Sequence, residues 1–323
     1  MFHYGLSIDE GEAAALSANA DVSWFHSWSD AMAADLQDVD VEATGPIPEK
    51  DKTWIQHDFG TGGKVRCRFR VSLDGRVVRS SALPSVAQSN LRELLLEPVM
   101  RTVLYRLNLP AFHAAALVNA GEAILLMGPK GAGKSTLSAV LQRSGWSLLA
   151  DDLVRVICCD ESTVCALPGL RRNKLRPDSL QALGHSPETA QERWAKTLPG
   201  DFEEQWDEKL LLPALIPEDE NLEDENSSFR IAAAICLLPR SLSLASPQIR
   251  KLSGQSAVLH LARHLIRDPL PPNAPPLAAG RMMSHLVSQA SVLELQMPDN
   301  LSLLGQSAEA FAKSLQLCLT KQS

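Results

Sequence analysis

An α/β fold behind a small β-rich N-terminal region is what the sequence predicts, on three observations. A strictly alternating segment lies near residue 68. A glycine-rich loop ending in Lys-Ser stands between an apolar run and a helix-like stretch, and the next apolar run ends on two aspartates. The order strand, loop, helix, strand, carboxylate pair is that of an α/β nucleotide-binding unit. The division reads as residues 1–105 for the β-rich region and 106–323 for the α/β domain.

From Val65 to Val71 one face carries Val65, Cys67, Phe69 and Val71 and the other Arg66, Arg68 and Arg70, the pattern of a half-buried strand. Asp74-Gly75 then reads as a hairpin turn into Val77-Val78. The three arginines suit a phosphate or an acidic peptide; a solvated strand face is the plainer account. Gln88 to Asn108 has apolar residues near a helical period, with Pro98 expected to kink or split the helix. Ala114–Val118 and Ala123–Met127 read as a strand pair turning at Ala120-Gly121. Ser135–Arg143 follows as a helix stopped by Gly145, and Trp146–Ala150 is the next strand. Glu218–Ser228 is acidic and reads as a loop, Asp268–Gly280 as a proline-rich extended connector, Ser291–Leu295 as a strand and Ala308–Leu319 as a closing helix.

Composition narrows the function classes. Among 323 residues, 31 basic against 38 acidic side chains give a net charge of −7, which argues against a nucleic-acid partner. No run approaches the roughly 20 apolar residues that span a bilayer, and no secretory signal is readable. The expectation is therefore a cytoplasmic protein with no membrane association. The six cysteines are irregularly spaced and read as reduced thiols rather than a disulfide framework. No Cys-x-x-Cys pair supports a metal cluster.

Gly128-Pro-Lys-Gly-Ala-Gly-Lys-Ser135 matches the phosphate loop of nucleotide-binding proteins in full, with an apolar strand before it and a helix after it. Gly128 opens the turn. Gly131, Ala132 and Gly133 let the backbone close on a β-phosphate where a larger side chain would collide. Amides at the helix N-terminus then face the anion. Lys134 supplies a cation to the β- and γ-phosphates, Ser135 a hydroxyl for Mg²⁺, and Thr136 lies near an α-phosphate. ATP and Mg²⁺ are the expected cofactors.

Asp151-Asp152 stands at the end of the next strand, 17 positions after Lys134. Such a pair reaches the γ-phosphate, one carboxylate for Mg²⁺ and one for the proton of an attacking hydroxyl. The other account is that Asp152 caps a turn. Phe112-His113-Ala-Ala-Ala-Leu-Val, the loop, and Leu-Leu-Ala-Asp-Asp-Leu-Val together resemble the HPr serine kinase/phosphorylase family over roughly residues 105–185. The resemblance implies a P-loop domain related to that of phosphoenolpyruvate carboxykinase. It implies Asp151 as general base toward a protein serine, Asp152 with the metal, and His113 beside the catalytic aspartate. It also implies a homo-oligomer, since relatives assemble as hexamers. Thr136 stands where those kinases usually have Glu, and their segment with a metal-binding Glu has no counterpart. The chain is more similar to divergent members, some of which phosphorylate the C-terminal serine of a lasso peptide precursor. The expected function is an ATP- and Mg²⁺-dependent serine kinase acting on a peptide or small protein. The alternatives are a bifunctional HPr kinase/phosphorylase and a nucleotide-binding regulatory protein without transferase activity.

Arg171, Arg172, Lys174 and Arg176 follow soon after the aspartates. Arg172, Lys174 and Arg176 are candidates for phosphate or substrate contacts; a solvated turn is the competing account. Lys209 and Arg267 are weaker candidates. Leu252-Ser-Gly-Gln255 lacks what an ABC-transporter signature needs. His260 and His264, at i and i+4 on a helix-like stretch, lack the Glu of a metalloprotease and read as two histidines on one helix face.

Overall fold

Strict alternation of apolar and polar side chains calls for a sheet with one face covered, and the first part of the chain builds one. The computed structural model describes residues 2–3, 6–11, 22–27, 47–48, 54–61, 64–184, 192–193, 210–213, 227–267, 275–300 and 310–311. The chain divides into two units: 1–109 with 192–209 and 266–276, and 110–191 with 210–265 and 277–323. The acidic segment 218–226, the connector 268–274, Lys209, Cys318 and the closing helix apart from Ala310–Phe311 lie outside the described residues.

The first unit holds β1 (Phe2–His3), β2 (Leu6–Gly11), β3 (Val22–Ser27), β4 (Ile47–Pro48), β5 (Trp54–Thr61), β6 (Lys64–Ser72) and β7 (Val77–Ala82). They form one sheet in the order β1-β2-β3-β7-β6-β5-β4. Val65, Cys67, Phe69 and Val71 of β6 are buried as the alternation requires. At Asp74-Gly75 the Gly75 amide donates to the Ser72 carbonyl at 2.9 Å, closing the expected hairpin. The arginine face is not a solvated one. Arg66, Arg68 and Arg70 are each half-buried, and Arg68 makes a fork on Asp58 of β5 through Nε at 2.6 Å and Nη2 at 2.9 Å. Register explains the pairing, because Asp58 lies opposite Arg68. His57, buried beside it, is held neutral with its pKa lowered to about 4, by burial against the opposing pull of Asp58. Its ring lies 3.0 Å from the Thr102 hydroxyl.

Thr102 belongs to the helical segment expected over 88–108, which is α1 (Gln88–Leu94), a π-helical turn (Leu95–Val99) and α2 (Met100–Arg106). Pro98 is inside the π turn. A proline has no amide to continue the i→i−4 ladder. The Met100 amide reaches back to the Leu95 carbonyl instead, so the helix widens by a residue rather than breaking.

The second unit is a mixed α/β assembly. Its main sheet contains β8 (Ala111–Phe112), β9 (Ala114–Asn119), β10 (Glu122–Met127), β11 (Ser147–Ala150), β12 (Val154–Cys158) and β13 (Val164–Ala166). A separate β14 (Arg172–Leu175) pairs with β15 (Leu210–Pro213). The main sheet is completed by β16 (Phe229–Leu237), β17 (Gln248–Leu252) and β18 (Ser291–Gln296). The helices are α3 (Lys134–Arg143), α4 (Pro177–Ala182), α5 (Gly254–Ala262) and α6 (Ala279–Gln289). The connector expected to run to Gly280 is thus helical from Ala279. β9 and β10 are apolar without alternation because both sheet faces are covered. Ala115, Leu117, Ile124 and Leu126 pack with Leu137 and Leu141 of α3. Ala116, Ala123 and Leu125 pack with Leu261 of α5 and Met282 and Leu286 of α6. The turn at Ala120-Gly121 has positive φ at both residues, 50° and 79°, as a two-residue hairpin demands. Helix α3 ends as expected at Gly145: the Gly145 amide donates to the Gln142 carbonyl and the Trp146 amide to that of Leu141, the pairing of a glycine-terminated helix.

One expectation about the cysteines is corrected. β12 and β13 form a hairpin, and beyond its end Cys159 meets Cys165 at a Cα separation of 6.3 Å and forms a disulfide. Irregular spacing along the chain carries no sign of this pairing, which the β12–β13 register brings about. Cys67 and Cys236 are buried thiols and Cys158 is exposed.

Candidate active site

Sheet register gathers the site. β9 lies between β10 and β11 and runs antiparallel to both. The ends of β10 and β11 therefore meet the start of β9 on one edge. Ala114 pairs with Met127, which sets His113 beside Gly128. Ala150 pairs with Ala116, which brings Asp151 and Asp152 to that edge. β16 flanks β10 in parallel with Cys236 opposite Met127, so the chain after Leu237 also arrives at the loop.

The loop from Gly128 to Gly133 leads straight into α3. Gly133 has φ 97°, and a Cβ there would stand 2.7 Å from Nη2 of Arg240. Gly128 is equally confined: a Cβ would meet the Leu237 carbonyl and Cβ at 3.0 Å. Gly131 is exposed, Ala132 is buried and Ser135 is half-buried. Lys134 is 8% exposed, and its Nζ donates to the Gly128 carbonyl at 2.7 Å, across the mouth of the loop. Thr136 is buried with its hydroxyl 3.5 Å from Ser179 of α4, a partner that no sequence pattern suggested.

The two aspartates differ. Asp151 is 4% exposed, and its Oδ1 accepts the Asp152 amide at 3.1 Å. Asp152 takes a left-handed φ of 62°, and the Leu153 amide closes a three-residue turn on the Asp151 carbonyl at 2.8 Å. That conformation is uncommon outside glycine, though aspartate tolerates it better than most residues. Asp152 Oδ2 lies 3.4 Å from Lys174 Nζ and Oδ1 lies 3.9 Å from His113 Nε2. The histidine thus stands against the second of the two adjacent aspartates.

Of the basic segment, the structure brings Lys174 to the site. It is buried on strand β14, not on a solvated turn. Arg172 is half-buried, Arg176 is exposed just before α4, and Arg267 is exposed. Sequence reasoning missed Arg240, whose guanidinium lies against Gly133. It belongs to no motif, and only the parallel β10–β16 pairing predicts its approach. Of the two histidines expected on one helix face, His260 is on α5 and His264 lies just beyond it, because α5 ends at Ala262. The His264 carbonyl accepts the His113 amide at 2.8 Å.

Lys134, Lys174 and Arg240 suit a polyanion at this edge, and amides at the start of α3 add to the attraction. Among the described residues no group of three or more His, Cys, Asp or Glu would hold a metal by itself. Mg²⁺ needs no such cage where substrate phosphates complete its shell, and Ser135 with Asp152 offers a hydroxyl and a carboxylate of that kind.

No family model matches the chain, and no curated protein matches it. Among solved structures it is similar to the Hpr(Ser) kinase/phosphatase from Coxiella burnetii, at 13% identity, covering 66% of this chain and 95% of that one with a TM-score of 0.29.

Proposed function

We propose that the chain is a kinase that uses ATP and Mg²⁺ to phosphorylate a serine hydroxyl on a peptide or small protein, with the C-terminal serine of a lasso peptide precursor as one acceptor of that kind. The observation that carries this reading is the meeting of His113, Asp152 and Lys174 on the edge of a glycine loop whose own lysine spans its mouth. Lys134 holds the β- and γ-phosphates, and Ser135 and Asp152 hold the metal. Mg²⁺ when bound neutralises charge on the triphosphate. Asp151 takes the proton as the serine oxygen bonds to the γ-phosphorus and the bond to the β–γ bridging oxygen breaks, its electrons leaving with ADP. Lys174 holds Asp152 in place. Catalysis then rests on positioning and electrostatics.

Labelled ATP with candidate acceptors tests this. Asp151→Asn is expected to lower phosphate incorporation about 10²- to 10⁴-fold, the range for losing a positioned base. Intact incorporation in Asp151→Asn with loss in Asp152→Asn would pass the proton to Asp152. Lys134→Ala is expected to weaken ATP binding and turnover, and retention of both would remove the phosphate site from this loop.

A further inference from the structure

A cavity of about 540 Å³ opens beside the glycine loop. His113, Gly128 and Lys130 line one side, and His260, Arg263 and His264 the other, over an apolar floor from residues 237–239. Its walls are stitched together: Phe112 bridges to Leu265, and the His113 amide bonds the His264 carbonyl.

The cavity borders the start of the glycine loop, which lends it Gly128, Pro129 and Lys130. The loop lysine serves the β- and γ-phosphates, and its Nζ rests on Gly128, which lines the cavity. His113 lines it too and faces Asp152 on its other flank. The cavity's lining includes two permanent cations, Lys130 and Arg263, and, among the described residues, no carboxylate. Glu294, which the lining residue His260 meets at 3.2 Å, is also engaged by Arg250 at 2.8 Å. Arg263 is exposed and pairs with no carboxylate among the described residues. His264 is pushed down to about 4 by burial, with Lys134, Arg263 and His260 adding to the shift. At neutral pH it therefore offers one N–H and one lone pair.

We infer that this cavity holds the phosphate acceptor, and that the acceptor carries a carboxylate, bound by Arg263, close to the hydroxyl presented to the Asp151-Asp152 pair beside His113. The inference rests on the kinase reading of the same loop. A free hydroxy acid and the carboxyl end of a peptide share this chemistry.

The test uses product-like probes in the full chain with Mg²⁺ and ADP: O-phosphoserine and a short peptide ending in phosphoserine, each as free acid and as amide, titrated calorimetrically. At least one free acid is expected to bind about tenfold tighter than its amide, the value of one charge-assisted contact. Arg263→Gln is expected to erase that preference and Arg263→Lys to restore part of it, both leaving the affinity for a fluorescent ATP analogue unchanged. The acid that binds tighter identifies the source as small molecule or peptide end. Equal binding of acid and amide, binding of neither, or a preference that survives Arg263→Gln overturns the inference. Failure of the unaltered chain to bind the ATP analogue sinks the kinase reading instead.

Discussion

Asp58 and Asp152 both face basic side chains from neighbouring strands, yet they are held in different ways. Asp58 lies opposite Arg68 within one sheet, takes a two-pronged guanidinium at 2.6 and 2.9 Å, and is 10% exposed. Asp152 sits in a left-handed turn at a strand end, 23% exposed, with Lys174 at 3.4 Å and His113 at 3.9 Å. The first carboxylate has short bonds and regular backbone, which is what a structural pair looks like. The second is held loosely by groups that can be drawn to another anion. Strain and slack occur together where chemistry is proposed.

That contrast can be broken by substitution. The largest effect on folding is expected from Arg68→Ala, which leaves Asp58 in a nearly closed site with the Gln56 amide but without its guanidinium and is expected to cost roughly 3 kcal/mol, read from urea midpoints. Asp152→Asn is expected to leave the midpoint within about 1 kcal/mol of the unaltered chain while removing phosphate transfer, and equal destabilisation by both would erase the distinction. His57, next to Asp58, sharpens it through pH. Its folded pKa of about 4 lies below its ordinary 6.5, so the unfolded chain binds more protons between those values. Stability is full above pH 6.5 and is lost as pH falls toward 4, by on the order of 3 kcal/mol. His57→Gln is expected to flatten that slope. The smallest effect is expected at the exposed Glu122–Arg230 pair, where Glu122→Gln should shift stability by less than about 0.5 kcal/mol.

Much of this arrangement was legible from sequence. Alternation placed β6, Asp74-Gly75 and Ala120-Gly121 placed the turns, and Pro98 marked where the 88–106 helix changes its winding. The strand order of the second unit was not legible. β16 carries an apolar run with no motif, and its pairing beside β10 is what delivers Arg240. Lys174 looked like one cation among four because a solvated turn and a buried strand share that composition. The roles of Asp151 and Asp152 could not be separated by type or spacing, since the turn that buries one and displays the other depends on a backbone angle. Arg68 illustrates the same gap, for its partner is ten positions back and only register reveals it.

The hairpin turn at Ala120-Gly121 has a long reach. Six residue pairs run from it to the Ala114–Met127 rung, roughly 20 Å at the rise of an extended strand. Beyond the Asn119–Glu122 rung the ladder is apolar, so the turn acts as the gauge block for His113. A β-branched replacement of Gly121, strained by the left-handed φ of 79° there, would be read as a misplaced imidazole beside Gly128.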